Sequence, residues 1–275
     1  MGSPQSDPKL ARLRQTLAAA GRLLVAYSGG VDSAFLAWAA HRALGDRMLA
    51  VIADSPSLGR THLDDALAFA REAGIPVAVI ETRELENPAY SRNDAMRCFH
   101  CKDELFTVME QYRAAHGFDA IAYGVNTDDQ GDFRPGQQAA RQHHVLAPLL
   151  EAGLGKAAIR DLSRRLGLPT WDKPAMPCLA SRLPRGTAVT VERLALVEQA
   201  EAAVRALGYK TVRVRYAGDD ARVELDPEGL RRVDDPAIRT LLVEAVRGAG
   251  FRQVVVDPRG YRPGGAADAA GAVGH

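Results

Sequence analysis

Six residues constrain this chain more than any others: Ser28, Gly29, Gly30, Val31, Asp32 and Ser33. They separate an apolar run, Arg22 to Tyr27, that reads as a buried strand from a helix-spaced segment, Ser33 to Leu44. Gly29 and Gly30 let the backbone turn tightly and aim N–H groups at an anion with no side chain in the way. The helix that follows adds its positive N-terminal end. Asp32 can hold the loop by accepting backbone N–H bonds, and Ser28 and Ser33 supply hydroxyl donors. The chain contains no G-x-x-x-x-G-K-[ST] and no G-x-G-x-x-G, so this is neither a Walker A loop nor a dinucleotide fingerprint. A plain glycine turn capping a helix is the competing reading. Five of the six residues are polar or glycine, and the loop opens at the mouth of a sheet, where open α/β folds bind ligands; both weigh against it.

The surrounding pattern sets the fold class. Met48–Ala53, Pro76–Glu81 and Phe118–Gly124 read as strands, and Leu168–Asp172 as a short one. Thr61–Gly74, Cys101–Gly117 and Gly155–Gly167 read as helices, with Thr82–His100 irregular. This alternation predicts an α/β fold, a parallel sheet flanked by helices on both faces. After about Thr187 the pattern changes to a helix (190–207), a hairpin of TVRVRY and ARVEL across AGDD, a helical pair and a last strand, Phe251–Asp257. The expected organisation is a nucleotide domain over 1–186, a small α+β domain for substrate or oligomerisation over 187–263, and a disordered Gly/Ala-rich tail over 264–275. A net charge of +1 argues against a general grip on nucleic acid. No apolar stretch approaches the ~20 residues of a membrane span, and the first ten residues lack the basic-then-apolar layout of a signal peptide. Three cysteines, two of them as C-x-x-C, suit a cytoplasmic metal or thiol site better than a secreted disulfide framework.

SGGVDS in this position resembles the pyrophosphate loop of the PP-loop ATP pyrophosphatases, a likeness that covers about the first 180 residues. The resemblance implies an adenine nucleotide alpha hydrolase-like fold. It also implies cleavage of ATP between the α- and β-phosphates, adenylation of a substrate oxygen and departure of pyrophosphate on the loop, with Mg²⁺. The nucleotide contacts it implies are Ser28, Gly29, Gly30, Asp32 and Ser33, with Asp54 and Ser55 after the second strand and Gly124 after the fourth. Taken alone, Asp54 reads as an N-cap-like loop residue. Three further stretches are RCFHCKDELF (Arg97–Phe106), YGVNTDDQGDFRPGQQAA (Tyr123–Ala140) and WDKPAMPCLASRLPRG (Trp171–Gly186). With VRVRYAGDDARVEL and GYRPGG they are similar to LarE-type ATP-dependent sulfur transferases over nearly the whole chain, and PCLASR followed by P-x-G is the most specific piece. That resemblance implies conversion of pyridinium-3,5-biscarboxylic acid mononucleotide to its thiocarboxylates, on the way to the nickel-pincer nucleotide, with Cys178, Asp32 and Ser33 as catalytic residues.

In the sacrificial form of that chemistry Cys178 attacks the adenylated carboxylate, expels AMP, and gives up its own sulfur to become dehydroalanine. This chain also carries Cys98 and Cys101. By resemblance to three-cysteine relatives and certain tRNA thiolases, Cys98, Cys101 and Cys178 would ligate a [4Fe–4S] cluster with one open iron, making the enzyme catalytic. This is the preferred expectation; the alternative has no cluster and a sacrificed Cys178. A zinc half-site, with His100, His143 or His144 as loose candidates, and a redox C-x-x-C are the competing readings of the pair. Arg213 and Arg215 share one face of TVRVRY. A solvated sheet face is the plain reading, whereas the resemblance implies a substrate phosphate clamp that includes Arg182. Arg259 and Arg262 are weaker candidates of the same kind. Asp128 and Asp129 either help to hold Mg²⁺ or start the next segment. The expected partners are a small nucleotide substrate and further copies of the chain, with no membrane and no nucleic acid. A PP-loop tRNA thiolase and a non-enzymatic nucleotide sensor are the alternatives.

Overall fold

The computed structural model describes residues 6–130 and 135–262, so the expected tail, 264–275, lies outside them. The chain forms two compact units: Met1–Glu84 with Cys98–Met176, and Leu85–Arg97 with Pro177–His275. PCLASR therefore belongs to the second unit, as does the short stretch before Cys98. Among the described residues no helix is long and apolar enough to cross a membrane.

The first unit begins with α1 (Pro8–Ala18). Asp7 caps it by accepting from the Lys9 and Leu10 amides, Pro8 opens its first turn, and Leu10, Leu13 and Leu17 bury one face. Then follow β1 (Leu23–Ala26), α2 (Val31–Leu44), β2 (Met48–Asp54), α3 (Arg60–Glu72) and β3 (Val77–Glu81). After α4 (Pro88–Ser91), which lies in the second unit, come α5 (Arg97–His116), β4 (Ala120–Tyr123), α6 (Pro135–Gln142), α7 (Pro148–Glu151) and α8 (Lys156–Arg165). The sheet order is β3-β2-β1-β4, and every pairing is parallel, as the alternation predicts. Successive β1 residues serve opposite faces. Leu23 and Val25 join a core with α1, α2, α3 and α8, while Leu24 and Ala26 join one with α5 and α6. The order reverses between β1 and β4, the switch point where such sheets bind ligands. The expected strand at 168–172 is a 3₁₀ turn, Pro169–Asp172. Pro169 has no N–H to give a ladder, so this apolar run turns.

The α5 helix starts at Arg97, earlier than the periodicity suggests, so Cys98 and Cys101 both lie in its first turns. His143, just past α6, ties back to it. Its Nε2 lies 2.9 Å from Asp103 and its Nδ1 3.1 Å from Glu110. Burial works against the imidazolium, but hydrogen bonds and charge from both carboxylates outweigh it and raise the pKa. A raised folded-state pKa contributes stability below the unfolded value of about 6.5 and loses it as pH rises through the folded value. His143→Gln should therefore lower the melting temperature more at about pH 6 than at about pH 9. Thermal scans of both proteins at the two pH values check this; equal losses would contradict it.

The second unit contains a 3₁₀ turn (Leu179–Arg182), α9 (Val191–Ala206), β5 (Val212–Ala217), β6 (Asp220–Leu225), α10 (Pro227–Arg232), α11 (Pro236–Gly248) and β7 (Gln253–Val256). β5 and β6 form the expected antiparallel hairpin, and β7 pairs parallel to β6. α9 packs on β5 and α11 on β7, burying Val212, Val214, Val223 and Leu225 beneath the helices.

Candidate active site

The loop after β1 has the conformation its sequence suggests. Gly29 takes φ +69°, and a Cβ there would lie 2.5 Å from that of Ala66. Gly30 is the N-cap of α2, in extended conformation and without a side-chain cap. Ser33 Oγ donates to the Gly30 carbonyl at 3.2 Å, accepts from the Ser28 amide at 3.2 Å, and lies 3.1 Å from Ser28 Oγ. Across the switch point, a Cβ on Gly124 would lie 2.9 Å from the Ser33 amide nitrogen, so β4 ends directly against the start of α2. Gly29→Ala combines left-handed strain with a steric clash. It should cost roughly 1–3 kcal/mol in loop conformation and weaken ATP binding, measurable by calorimetric titration of ATP. Unchanged affinity would contradict the loop's assignment.

Asp32 points from α2 toward the same space. Its Oδ2 accepts from Lys156 Nζ at 2.9 Å and Asn126 Nδ2 at 3.2 Å, while its buried Oδ1 has no hydrogen-bond partner. Asn126 is fully buried and starts a capping box: its side chain accepts from the Asp128 amide, and Asp129 accepts from the Asn126 amide. Asp128 in turn accepts from the Lys156 amide at 2.7 Å, so the turn after β4 and the start of α8 are locked together. At the end of β2, Asp54 pairs with Arg60 at 2.6 Å, and Arg60 also donates to the Ser55 carbonyl at 2.9 Å. The unit thus gathers glycine amides, two serines, a carboxylate and a lysine at the carboxyl edge of a parallel sheet. That set suits a polyphosphate.

The second unit builds a different site around Cys178, which is partly exposed and precedes the 3₁₀ turn. Arginines grip the carbonyls of this turn. Arg182 Nη1 donates to Pro177 O at 2.6 Å and Cys178 O at 3.0 Å, Arg97 to Ala180 O at 2.8 Å, and Arg215 to Ser181 O at 2.9 Å. Arg182 is fully buried and doubly bonded to Glu201, at 2.8 and 3.1 Å. Its partners are Glu201 and its own loop rather than the phosphate-facing position expected for it. Arg215 pairs with Glu224 at 2.9 Å, and Arg213 lies over the Tyr261 ring. Arg213 and Arg215 are 4% and 6% exposed, which overturns the solvated-face reading: this sheet face is covered. Burial first, then the neighbouring Arg182 cation, pulls the Arg213 guanidinium below its ordinary value. The cluster of guanidinium groups around Glu201 and Glu224 therefore carries surplus positive charge.

A family profile described as NAD synthase matches residues 10–107. An uncharacterized protein of Synechocystis sp. is 43% identical over 94% of this chain and 96% of its own length. An uncharacterized protein of Methanocaldococcus jannaschii is 23% identical over 88% of this chain and 91% of its own. The pyridinium-3,5-bisthiocarboxylic acid mononucleotide synthase of Lactiplantibacillus plantarum is 34% identical over 93% of this chain and 94% of its own. The chain belongs to that synthase family, LarE. The LarE match spans both compact units.

Of the residues singled out in the sequence, Ser28, Gly29, Gly30, Asp32, Ser33 and Gly124 come together at one switch point, with Asp54 and Ser55 at the end of the adjacent strand. Cys178, Arg182, Arg213 and Arg215 belong to the second unit of this LarE-family chain, and Cys98 and Cys101 to the first. Among the described residues no three Cys, His, Asp or Glu side chains gather as a metal-ion site. Sequence reasoning missed Lys156, Asn126 and Glu201. A signal for Lys156 exists, since a lysine at the first position of a helix opposes the helix dipole and needs a reason.

Proposed function

We propose that this LarE-family chain uses ATP to adenylate a carboxylate of pyridinium-3,5-biscarboxylic acid mononucleotide and then replaces an oxygen by sulfur. The single observation that carries this is the similarity to the Lactiplantibacillus plantarum synthase across nearly the whole of both chains. The first unit would bind ATP. Amides of the glycine loop and the start of α2 receive the departing pyrophosphate, with Ser28 donating, Ser33 donating once its proton turns from the Gly30 carbonyl, and Lys156 neutralising. Gly29 lets the loop close against Ala66 on α3, and Gly124 lets the end of β4 close against the first turn of α2, so the loop is held in place before the nucleotide arrives. Mg²⁺ fits this site, because Asp32 keeps one carboxylate oxygen without a partner, and Asp128 stands nearby through Lys156. When bound it would supply charge neutralisation at the pyrophosphate. The second unit would hold the pyridinium nucleotide, its phosphate drawn by the surplus guanidinium charge of Arg213 and Arg215. A homo-oligomeric cytoplasmic enzyme is the setting in keeping with this reading.

For the sulfur, the arginine-gripped carbonyls around Cys178 favour Cys178 as the donor. Its thiolate attacks the acyl-adenylate, AMP leaves, and the S-acyl cysteine loses its α-proton and breaks at Cβ–S. The thiocarboxylate departs and dehydroalanine remains. A second reading keeps Cys178 intact on a [4Fe–4S] cluster. Cys98 and Cys101 favour it, being three residues apart on one helical face with access to solvent. They fit as two thiolate ligands, while the third candidate stands in the other unit. The test is anaerobic incubation with ATP, Mg²⁺ and the pyridinium biscarboxylate nucleotide. AMP and pyrophosphate should form only when that nucleotide is present, together with its thiocarboxylate. AMP formation indifferent to the nucleotide would contradict the substrate. Iron and sulfide assays on wild-type, Cys98→Ala and Cys101→Ala proteins decide the second reading.

A further inference from the structure

The carbonyl oxygen of Cys178 receives two donors: the Ser181 amide at 2.9 Å and Arg182 Nη1 at 3.0 Å. The first is the ordinary bond of a 3₁₀ turn. The second is not, because it brings a full positive charge, with no solvent exposure of the side chain, onto the main-chain carbonyl of the sulfur-bearing residue. Glu201 holds that guanidinium in place with two bonds, and is itself fixed by Arg205 at 2.8 Å and by the Val214 amide at 3.1 Å. Breaking the Cβ–S bond of an acylated cysteine requires the α-proton to leave first or together with the sulfur. The electron pair of the Cα–H bond then moves onto the adjacent carbonyl oxygen as an enolate.

We infer that Arg182 and the Ser181 amide form an oxyanion hole for the enolate of Cys178's own main chain. The inference rests on the sacrificial reading of the sulfur step. In that step the α-proton passes to solvent, and the Cα–H pair develops as negative charge on the Cys178 oxygen beneath Arg182. The pair then returns to form the Cα=Cβ bond. The Cβ–S bond breaks, and its electrons leave on the thiocarboxylate. Nothing is oxidised or reduced from outside. Donors already aimed at developing charge need no reorganisation at the moment of reaction, and the Arg182 side chain that supplies one of them is fully buried. Arg182 thereby acts on the reacting residue itself, a role separate from binding the substrate phosphate.

The experiment follows AMP, Cys178 thioester and dehydroalanine by quenched mass spectrometry through a single turnover, in full-length protein with and without α-deuterated cysteine. Arg182→Lys keeps the charge and loses the aim. It should form AMP and the thioester at close to the wild-type rate and eliminate on the order of 10²-fold more slowly, with a deuterium effect on elimination alone. If Arg182→Lys does not fold, the double variant Arg182→Gln/Glu201→Gln replaces the ion pair with a neutral one and gives the same comparison. Elimination and AMP formation falling by the same factor, or elimination unchanged, would overturn the oxyanion hole while leaving the sacrificial reading intact. A wild-type enzyme that yields thiocarboxylate and no dehydroalanine would overturn both.

Discussion

Asp32→Ala should fold normally and lose AMP formation by on the order of 10²-fold or more. The carboxylate takes Lys156 and Asn126 on one oxygen and leaves the other without a partner. Removing it frees Lys156 to swing away and withdraws the oxygen suited to Mg²⁺. The fold should tolerate the change. Asp32 lies in the first turn of α2, where an acidic side chain contributes only about 0.3–1 kcal/mol. Asp32→Asn should be nearly as inactive, because the amide keeps the shape but not the charge. Pyrophosphate release assayed beside thermal denaturation tests both. A variant that melts early, or one that adenylates normally, would contradict the assignment.

Glu201→Ala should be severely destabilising. Arg182 and Glu201 are 0% and 1% exposed, so the change strands a buried guanidinium. Breaking a buried pair by removing one partner costs about 3–5 kcal/mol, a large share of a typical ~5–15 kcal/mol domain stability. By contrast, Asp161→Ala removes an exposed pair with Arg164 and a half-buried one with Arg165, and should change stability by less than about 1 kcal/mol. Burial alone would raise the Glu201 pKa, but Arg182, Arg213 and Arg205 outweigh it and lower it. A lowered folded-state pKa contributes stability above the unfolded value and loses it as pH falls through the folded one. The wild type should therefore lose stability in acid more steeply than Glu201→Ala. Urea titrations at neutral and acidic pH measure both quantities; parallel acid profiles would contradict the coupling.

The first unit was the more legible in sequence because its signals are local. Buried strands of a parallel sheet read as apolar runs, and paired glycines between such a run and a helix start mark a tight turn, which Gly29 makes at +69°. Alternation implied the parallel sheet but not its order, since β4 reaches the side of β1 by a crossover that no short window contains. α1 lay outside that alternation, although Asp7–Pro8 before leucines at 10, 13 and 17 is a readable start. Lys156 and Asp32 are 124 residues apart in sequence, and only the folded α/β unit brings them together. The second unit hid more. Period-two alternation in TVRVRY says that the arginines share a face, but not that the 3₁₀ turn at Leu179–Arg182 covers it. Glu201 sits on α9 among apolar neighbours, and nothing local marks it as the partner of an arginine nineteen residues earlier.

The most direct test of the central claim, ATP-driven transfer of the Cys178 sulfur to a carboxylate, is the intact mass of the chain after one anaerobic turnover. With ATP, Mg²⁺ and the pyridinium biscarboxylate nucleotide present, the chain should become lighter by the mass of H₂S, with the loss located at Cys178 and one thiocarboxylate formed per chain altered. Thiocarboxylate accumulating over several turnovers from protein of unchanged mass would contradict it.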